Sequence, residues 1–409
     1  MIEKTTFDSG VRLITEQVAG AASVALGIWV AAGSRDETPE ESGLAHLIEH
    51  MIFKGTAKRD KLAIAKEMDR QGGLANAFTT REHTCFHTRV RPEHLPEAVD
   101  LLIDIFNRSL YDEAELKLEK EVVQQEIAMT EDEPEEYVHD LSSEFHWPDH
   151  PLGRPVAGSR ASVDSLDQQR LLAWIARNYC GDRIVISAAG LVDHQQLVDL
   201  ISRFKIEADS VPRRIYPPSA RFGLLVKRRR LEQAHLVISA AFPHQTDPRR
   251  RAAAVLNAAL GGSMASRLFQ EIREKRGLAY SIYSNYSAYT DVGLMEIYAG
   301  AAPGRIGETR RLISAELARL RNEPLSGDEL AEAVGSLKTN LVLSGDSVDS
   351  RMSRLAKNEF TFGRQLGLDE ICHDLDQVTP GDVQALAEEF LADSNLAVCV
   401  LGPVSKKDV

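Results

Sequence analysis

A chain of 409 residues, 43% hydrophobic and 27% charged, is long enough for two or more domains and has the composition of a soluble globular protein. Its formal net charge of −13 argues against a nucleic-acid surface and permits attraction of basic peptides. No stretch is long and apolar enough to span a bilayer, and the start, Met1 to Asp8, has no basic segment followed by an apolar run. With no membrane role indicated, a cytoplasmic location is expected unless a processed leader precedes this chain.

Residues 3 to 33 alternate short strand signals with turns, and Ala22 to Val30 reads as a strongly apolar strand. A polar loop, Ser34 to Glu41, leads into a helix-compatible stretch running from Gly43 through His46, Glu49 and His50 to a stop at Gly55. Asp60 to Arg70 is an amphipathic helix ending at Gly72-Gly73, and Leu74 to Thr80 and Thr84 to Val90 read as paired strands. Helices are expected from Pro92 to Asn107 and from Glu113 to Thr130, the latter free of Gly and Pro, and Glu135 to Phe145 resumes a helical pattern after a break at Asp132 to Pro134. His146 to Gly158 is a loop rich in Pro and Gly. Gln168 to Tyr179 is helical, Ile184 to Ala189 a strand and His194 to Phe204 a helix.

The pattern fades between Ile206 and Ala220, where Pro212, Pro217 and Pro218 cluster, and then restarts. Strands are expected at Gly223 to Val226, Ala234 to Ala241, Leu278 to Ala288, Gly293 to Ala299 and Leu396 to Leu401. Helices are expected at Arg249 to Leu260 and roughly 305 to 321, 327 to 345 and 379 to 392. The strand from His235 to Ala241 corresponds to the one from Val24 to Val30, and the helix carrying Ala253, Val255, Leu256 and Asn257 takes the place of the His helix without its His or Glu. The expected organisation is therefore a domain over 1–205, a linker over 206–221 and a metal-free repeat over 222–409. The four cysteines, Cys85, Cys180, Cys372 and Cys399, are scattered with no Cys-x-x-Cys, which favours reduced core thiols.

The chemistry concentrates in the His helix. His46 and His50 are four residues apart, so in a helix they point the same way one turn apart, with Glu49 on the same side. Leu47, Ile48 and Met51 are left to face a core. Two imidazoles on one face can hold Zn²⁺, and a carboxylate beside them can take a proton from a metal-activated water. This His-x-x-Glu-His order reverses the commoner zinc-protease signature. Chance pairs occur in a chain with 12 His, and a catalytic zinc needs a third protein ligand. In the following long helix, Glu119, Val122, Val123, Glu126 and Ile127 fall on one stripe, where buried carboxylates are costly unless paired or metal-bound. Lys117, Lys120 and Glu121 read as a solvated face. His83, His87, His139, His146 and His150 are expected on loops or the surface. Gly261-Gly262-Ser263 has no Gly-Lys-Ser/Thr after it, so a nucleotide loop is not expected.

The pairing of His46-x-x-Glu49-His50 with Glu126, 76 positions after His50, resembles the pitrilysin family of peptidases (family M16), which includes insulysin and the mitochondrial processing peptidase. The resemblance runs along nearly the whole chain. It takes in Ser42-Gly43-Leu44-Ala45-His46, Gly72-Gly73-x-x-Asn76-Ala77, His150-Pro151-Leu152-Gly153-Arg154, Ser266-Arg267-Leu268-Phe269 and the run from Arg273 to Tyr280. Length and layout look most like single-unit bacterial members close to the processing-peptidase β subunit.

The resemblance implies an α+β fold of two homologous domains, each a mainly antiparallel sheet flanked by helices. It implies a zinc endopeptidase with one Zn²⁺ per chain held by His46, His50 and Glu126, Glu49 as the base, and Glu119 as an acid that orients a His ring. It further implies an edge strand at Asn76 and Ala77 that accepts extended peptide. Arg273 and Tyr280 would stabilise the oxyanion, in trans, within a homodimer. Phe78 reads more simply as core packing. Glu136 and Asp140 share a helix face and resemble positions that bind a substrate Arg, which implies a preference for basic residues near the cut. The same pair reads equally as solvated acidic surface beside Glu131, Asp132, Glu133 and Glu135. Two competing readings stand beside this one: a non-catalytic subunit, and a partner active only as a heterodimer with another chain of the family.

Overall fold

The computed structural model describes every residue except Gly73, 203–205, 207–211 and 214. In the first half the strands are β1 (Ile2–Thr6), β2 (Arg12–Gln17), β3 (Val24–Val30), β4 (Asn76–Thr79), β5 (Thr84–Val90) and β6 (Ile184–Gly190). Its helices are α1 (Leu44–Met51), α2 (Lys61–Arg70), α3 (Leu95–Arg108), α4 (Glu113–Asp132), α5 (Pro134–His146), α6 (Arg160–Ser165), α7 (Gln168–Asn178) and α8 (His194–Ile201). The second half adds β7 (Gly223–Arg228), β8 (Ala234–Phe242), β9 (Ala279–Ala288), β10 (Gly293–Ala301) and β11 (Ala397–Gly402). Its helices are α9 (Arg250–Gly261), α10 (Ile306–Asn322), α11 (Gly327–Ser344), α12 (Val348–Phe362), α13 (Leu368–Asp376) and α14 (Pro380–Phe390).

Two sheets form, in the orders β1-β2-β6-β3-β5-β4 and β7-β11-β8-β10-β9. Each has one parallel pair, β2 with β6 and β7 with β11, and is otherwise antiparallel. The second order repeats β2 through β4 of the first, strand for strand, so the internal repeat expected from the sequence is present in the pairing.

Period-two alternation divides each sheet between two cores. On β3, Val24, Leu26, Ile28 and Val30 join α1 and α3 in one core, while Ala25 and Trp29 face Val348, Met352, Leu355 and Ala356 of α12. Trp29 Nε1 donates to Met352 Sδ at 3.2 Å, and Gly27 leaves the room for it, since a Cβ there would lie 2.7 Å from that sulfur. On β8, Leu236, Ile238 and Ala240 pack with α9, α10 and α14, while Val237 faces Val138 and Leu141 of α5.

The compact units therefore differ from contiguous halves. One comprises Met1–Ala128, Arg154–Arg214 and Leu343–Gln365; the other comprises Met129–Gly153, Ile215–Val342 and Leu366–Val409. Each half lends a helix, α5 or α12, to cover the second face of the other half's sheet. The stretch 206–221 expected as a linker, the end of the helix expected to reach Phe204, and Gly73 of the Gly-Gly pair lie partly or wholly outside the described residues.

The structure adds α6, α12 and α13, and a π-helical turn at Phe269–Glu274, where the sequence pattern announces nothing. The strand expected from Leu74 begins only at Asn76. His87 on β5 and His139 on α5 are half-buried, and His146 is neither in a loop nor on the surface, because it ends α5 against the second sheet; His150 lies in a loop as expected but is buried, because the turn beyond α5 is pinned. There His150 Nε2 donates to the Tyr216 carbonyl at 3.0 Å, and the Leu152 N–H donates to its Nδ1 at 3.2 Å. The described cysteines are all free thiols, three of them buried.

Candidate metal centre

The helix α1 is short, with Leu44, Ala45, Leu47, Ile48 and Met51 fully buried and the histidine side turned outward. Its N-cap, Gly43, has φ +92 and no side chain with which to cap. A carboxylate from upstream does that work: Glu37 Oε2 accepts the Gly43 N–H at 2.9 Å and Oε1 the Ala45 N–H at 2.7 Å. Gly43 is required by its φ and by the approach of the Ala157 carbonyl, which a Cβ would meet at 2.6 Å.

On this helix the His46 and His50 rings stand 4.7 Å apart. Glu126, on α4, reaches both: its Oε2 lies 3.7 Å from His46 Nε2 and 3.5 Å from His50 Nε2. These three residues offer ligand atoms all within 4.8 Å of one another, and form the one such group among the described residues. Tetrahedral donors around zinc, at bond lengths of about 2.0–2.2 Å, lie about 3.3–3.6 Å apart, so the donor set and spacing fit that ion. Burial and the neighbouring His50 push the His46 ring down to about 4, which keeps it neutral and ligand-competent. The stripe on α4 is less buried than its spacing suggests. Glu119, Val123 and Ile127 are buried, but Val122 is exposed and the Glu126 side chain is 43% exposed, because α4 turns this edge outward.

Glu119, seven residues before Glu126, engages the far side of His50: its Oε2 is 3.2 Å from Nδ1. That contact leaves Nε2 facing His46 and Glu126. The other oxygen, Oε1, pairs with Lys54 Nζ at 2.6 Å. Glu49 sits beside the group without joining it. Its Oε2 accepts the Thr79 hydroxyl at 2.7 Å, and burial pushes its carboxyl above the ordinary range. Thr79 belongs to β4, which among the described residues is the edge of the first sheet and pairs only with β5, through Asn76↔His87, Ala77↔Phe86, Phe78↔Cys85 and Thr79↔Thr84. Asn76 is exposed and Ala77 buried, and Phe78 packs edge-on against Trp29 at 5.4 Å.

The remaining candidates belong to the other unit. Arg273 leaves the π-helical turn with its guanidinium 4.7 Å from the Phe269 ring and 5.5 Å from that of Tyr280, which is 79% exposed. Glu136 is exposed and Asp140 half-buried on α5. Sequence reasoning missed Glu37, Lys54 and Thr79. Each acts through a partner that no local spacing relates to it.

The chain matches the family model of Insulinase (Peptidase family M16) over residues 12–160 and that of the Peptidase M16 inactive domain over 165–337. It is 39% identical over 404 residues to a Bacillus subtilis relative, described as the uncharacterized zinc protease YmxG, covering 98% of each chain. A Streptomyces coelicolor relative, also described as an uncharacterized zinc protease, is 38% identical over 416 residues, covering 99% of this chain and 90% of its own. Among solved structures, a protease from Helicobacter pylori has the same fold with a TM-score of 0.92 at 18% identity, covering 98% of this chain and 99% of that one. A chain of complex III from Candida albicans has it with a TM-score of 0.86 at 22% identity, covering 98% and 96%. No helix among the described residues is long and apolar enough to cross a membrane. The chain belongs to peptidase family M16, the insulinase family.

Proposed function

We propose that the chain is a zinc endopeptidase that hydrolyses extended or unfolded peptides. The observation that carries this reading is the meeting of His46 Nε2, His50 Nε2 and Glu126 Oε2 from two helices, with an unligated carboxylate, Glu49, beside them. Held there, one zinc ion per chain would supply Lewis acidity and make water a usable nucleophile near neutral pH. Glu49 takes the proton of the attacking water and returns it to the leaving amine, with Thr79 holding its Oε2 in place. Glu119 keeps His50 in the tautomer whose Nε2 is free to bind. Substrate lies along the free edge of β4 at Asn76 and Ala77, held by main-chain hydrogen bonds.

Arg273 and Tyr280 donate hydrogen bonds to the oxygen on which charge develops, and the cation–π contact between them holds the two together. In a homodimer they act on the partner's metal site. Glu136 and Asp140 attract a basic residue near the cut, as in a processing peptidase. In this reading the N-terminal half is the catalytic one, the C-terminal half a metal-free repeat, and the location cytoplasmic. A non-catalytic subunit, or one active only with a different chain of the family, is the competing reading. The intact set of His46, Glu49, His50 and Glu126 speaks against the first.

The test is Glu49→Gln, which keeps size and an acceptor for Thr79. Cleavage of a basic peptide is expected to fall by about 10²–10⁴-fold with zinc content unchanged. Retained hydrolysis defeats the role of Glu49, and a wild-type chain that binds zinc but cleaves nothing until another chain is added selects the heterodimer.

A further inference from the structure

We infer that Lys54 is a positioning residue for zinc, acting through Glu119 on His50; this rests on the reading of His46, His50 and Glu126 as ligands. Lys54 follows α1 in a turn whose backbone is fixed at several points. Its N–H donates to the Met51 carbonyl at 3.1 Å, the Gly55 carbonyl accepts from Leu110 N at 3.0 Å, and Thr56 N donates to Arg59 at 2.7 Å. From this anchored start the side chain reaches α4, where Nζ meets Glu119 Oε1 at 2.6 Å. Lys54 therefore ties together the two helices that must converge for the three ligands to meet.

The Glu119 side chain is only 8% exposed, and its two oxygens are divided between two donors, Lys54 on Oε1 and His50 Nδ1 on Oε2. A carboxylate that is buried needs both oxygens satisfied. With Lys54 in place, Glu119 is held with Oε2 on the imidazole. Without it, the carboxylate is free to rotate and its charge is unopposed on that side.

Charge balance gives Lys54 a second effect. Glu49, Glu119 and Glu126 bring three negative charges to one small site. Among the described residues, Lys54 is the one lysine or arginine ion-paired with any of them. A divalent cation and Lys54 together cancel all three. Removing the lysine leaves the Glu119 charge opposed only at longer range, by Lys61, which is itself paired with Glu115, and loosens the ring that presents Nε2.

The test measures zinc affinity of the full-length chain by competition with a chelator of known affinity, alongside the unfolding midpoint of the zinc-free chain. Lys54→Met is expected to weaken zinc binding by about 10–100-fold, the range for loss of an outer partner of a ligating His. Lys54→Arg, which keeps the charge at a one-point contact, should restore most of the affinity. In a Glu119→Gln background, Lys54→Met should add little, because the two act through one carboxylate. Lys54→Gln serves as a second neutral replacement should the methionine variant fold poorly. A Lys54→Met chain that binds zinc as tightly as wild type, with or without a lowered midpoint, overturns the inference. So does a full additional loss in the Glu119→Gln background. Both results leave the peptidase reading standing, whereas a wild-type chain that binds no zinc removes that reading and this inference together.

Discussion

Replacing Glu37 by alanine probes how the helix that carries His46 and His50 is held. Glu37 is 4% exposed, and its two oxygens take the backbone N–H groups of Gly43 and Ala45 at 2.9 and 2.7 Å. Truncation leaves two buried donors unsatisfied, at about 1–3 kcal/mol each, so about 2–6 kcal/mol is expected for the pair. A titration works against this. Burial pushes the Glu37 carboxyl up to about 8, the two N–H groups and Arg154 pulling it only part of the way back. A folded pKa raised above the unfolded 4.5 means stability that is intact below about 4.5 and lost as pH rises through about 8. At 1.36 kcal/mol per unit, the wild type gives up about 2.5 kcal/mol between pH 5 and pH 7, which alanine cannot lose. The cost of Glu37→Ala should thus be largest at pH 5 and about 2.5 kcal/mol smaller at pH 7. Hydrogen exchange of the α1 amides reads this locally, which matters because a chain of two units need not unfold in one step. An α1 as protected in the variant as in wild type, or a cost independent of pH, would refute the capping argument.

The buried His146 gives the opposite slope. Among the described residues neither ring nitrogen makes a close hydrogen bond, and burial pushes the ring down to about 4, with Glu296 and the Arg221 backbone pulling it the other way. The folded pKa is depressed, so its contribution is present above the unfolded 6.5 and lost as pH falls through about 4. The total is at most about 3.4 kcal/mol. Denaturant unfolding followed by the adjacent Trp147 should show stability falling between pH 7 and pH 4.5, and His146→Phe should flatten that fall; equal slopes count against it. Mixing a Glu49→Gln chain with a Tyr280→Phe chain should give hydrolysis above either parent if Tyr280 serves its partner's site. No gain over the parents removes the in-trans arrangement.

How much of this could be read from the residues depended on the range of the interaction. The two histidines are neighbours by helix geometry alone, and the periodicity of α4 singled out Glu119 and Glu126 as carboxylates set among apolar groups. Their exposure could not be read, because a stripe fixes which residues share a face and not how deeply that face is covered. Lys54, Thr79 and Glu37 sat in plain sight, yet their partners come from another helix, a sheet edge and a loop that bends back on its own helix. The helix α12 was invisible for a different reason. Its buried apolar residues, Val348, Met352, Leu355 and Ala356, are interleaved with Asp349, Arg351, Arg354 and Lys357, and the polar majority hides a narrow stripe. Two of those charges are engaged by Glu16 of β2: Arg351, and Arg354 at 3.5 Å.

The same physics explains why the two halves repeat in fold and part in chemistry. Strands β3, β6 and β11 are buried along their whole length, and β8 nearly so, so each sheet needs cover on both faces. Helices α1 and α9 supply part of that cover, and for it they need only an apolar side: Leu44, Leu47, Ile48 and Met51 in one, Ala252, Ala253, Val255 and Leu256 in the other. Packing constrains that side alone. The opposite side of α1 is free to carry His46, Glu49 and His50, and that of α9 to carry nothing of the kind, at no cost to the core. The second face of each sheet is covered by a helix from the other half of the chain. The His46, His50 and Glu126 cluster can therefore sit in one unit while neither half can be completed without the other.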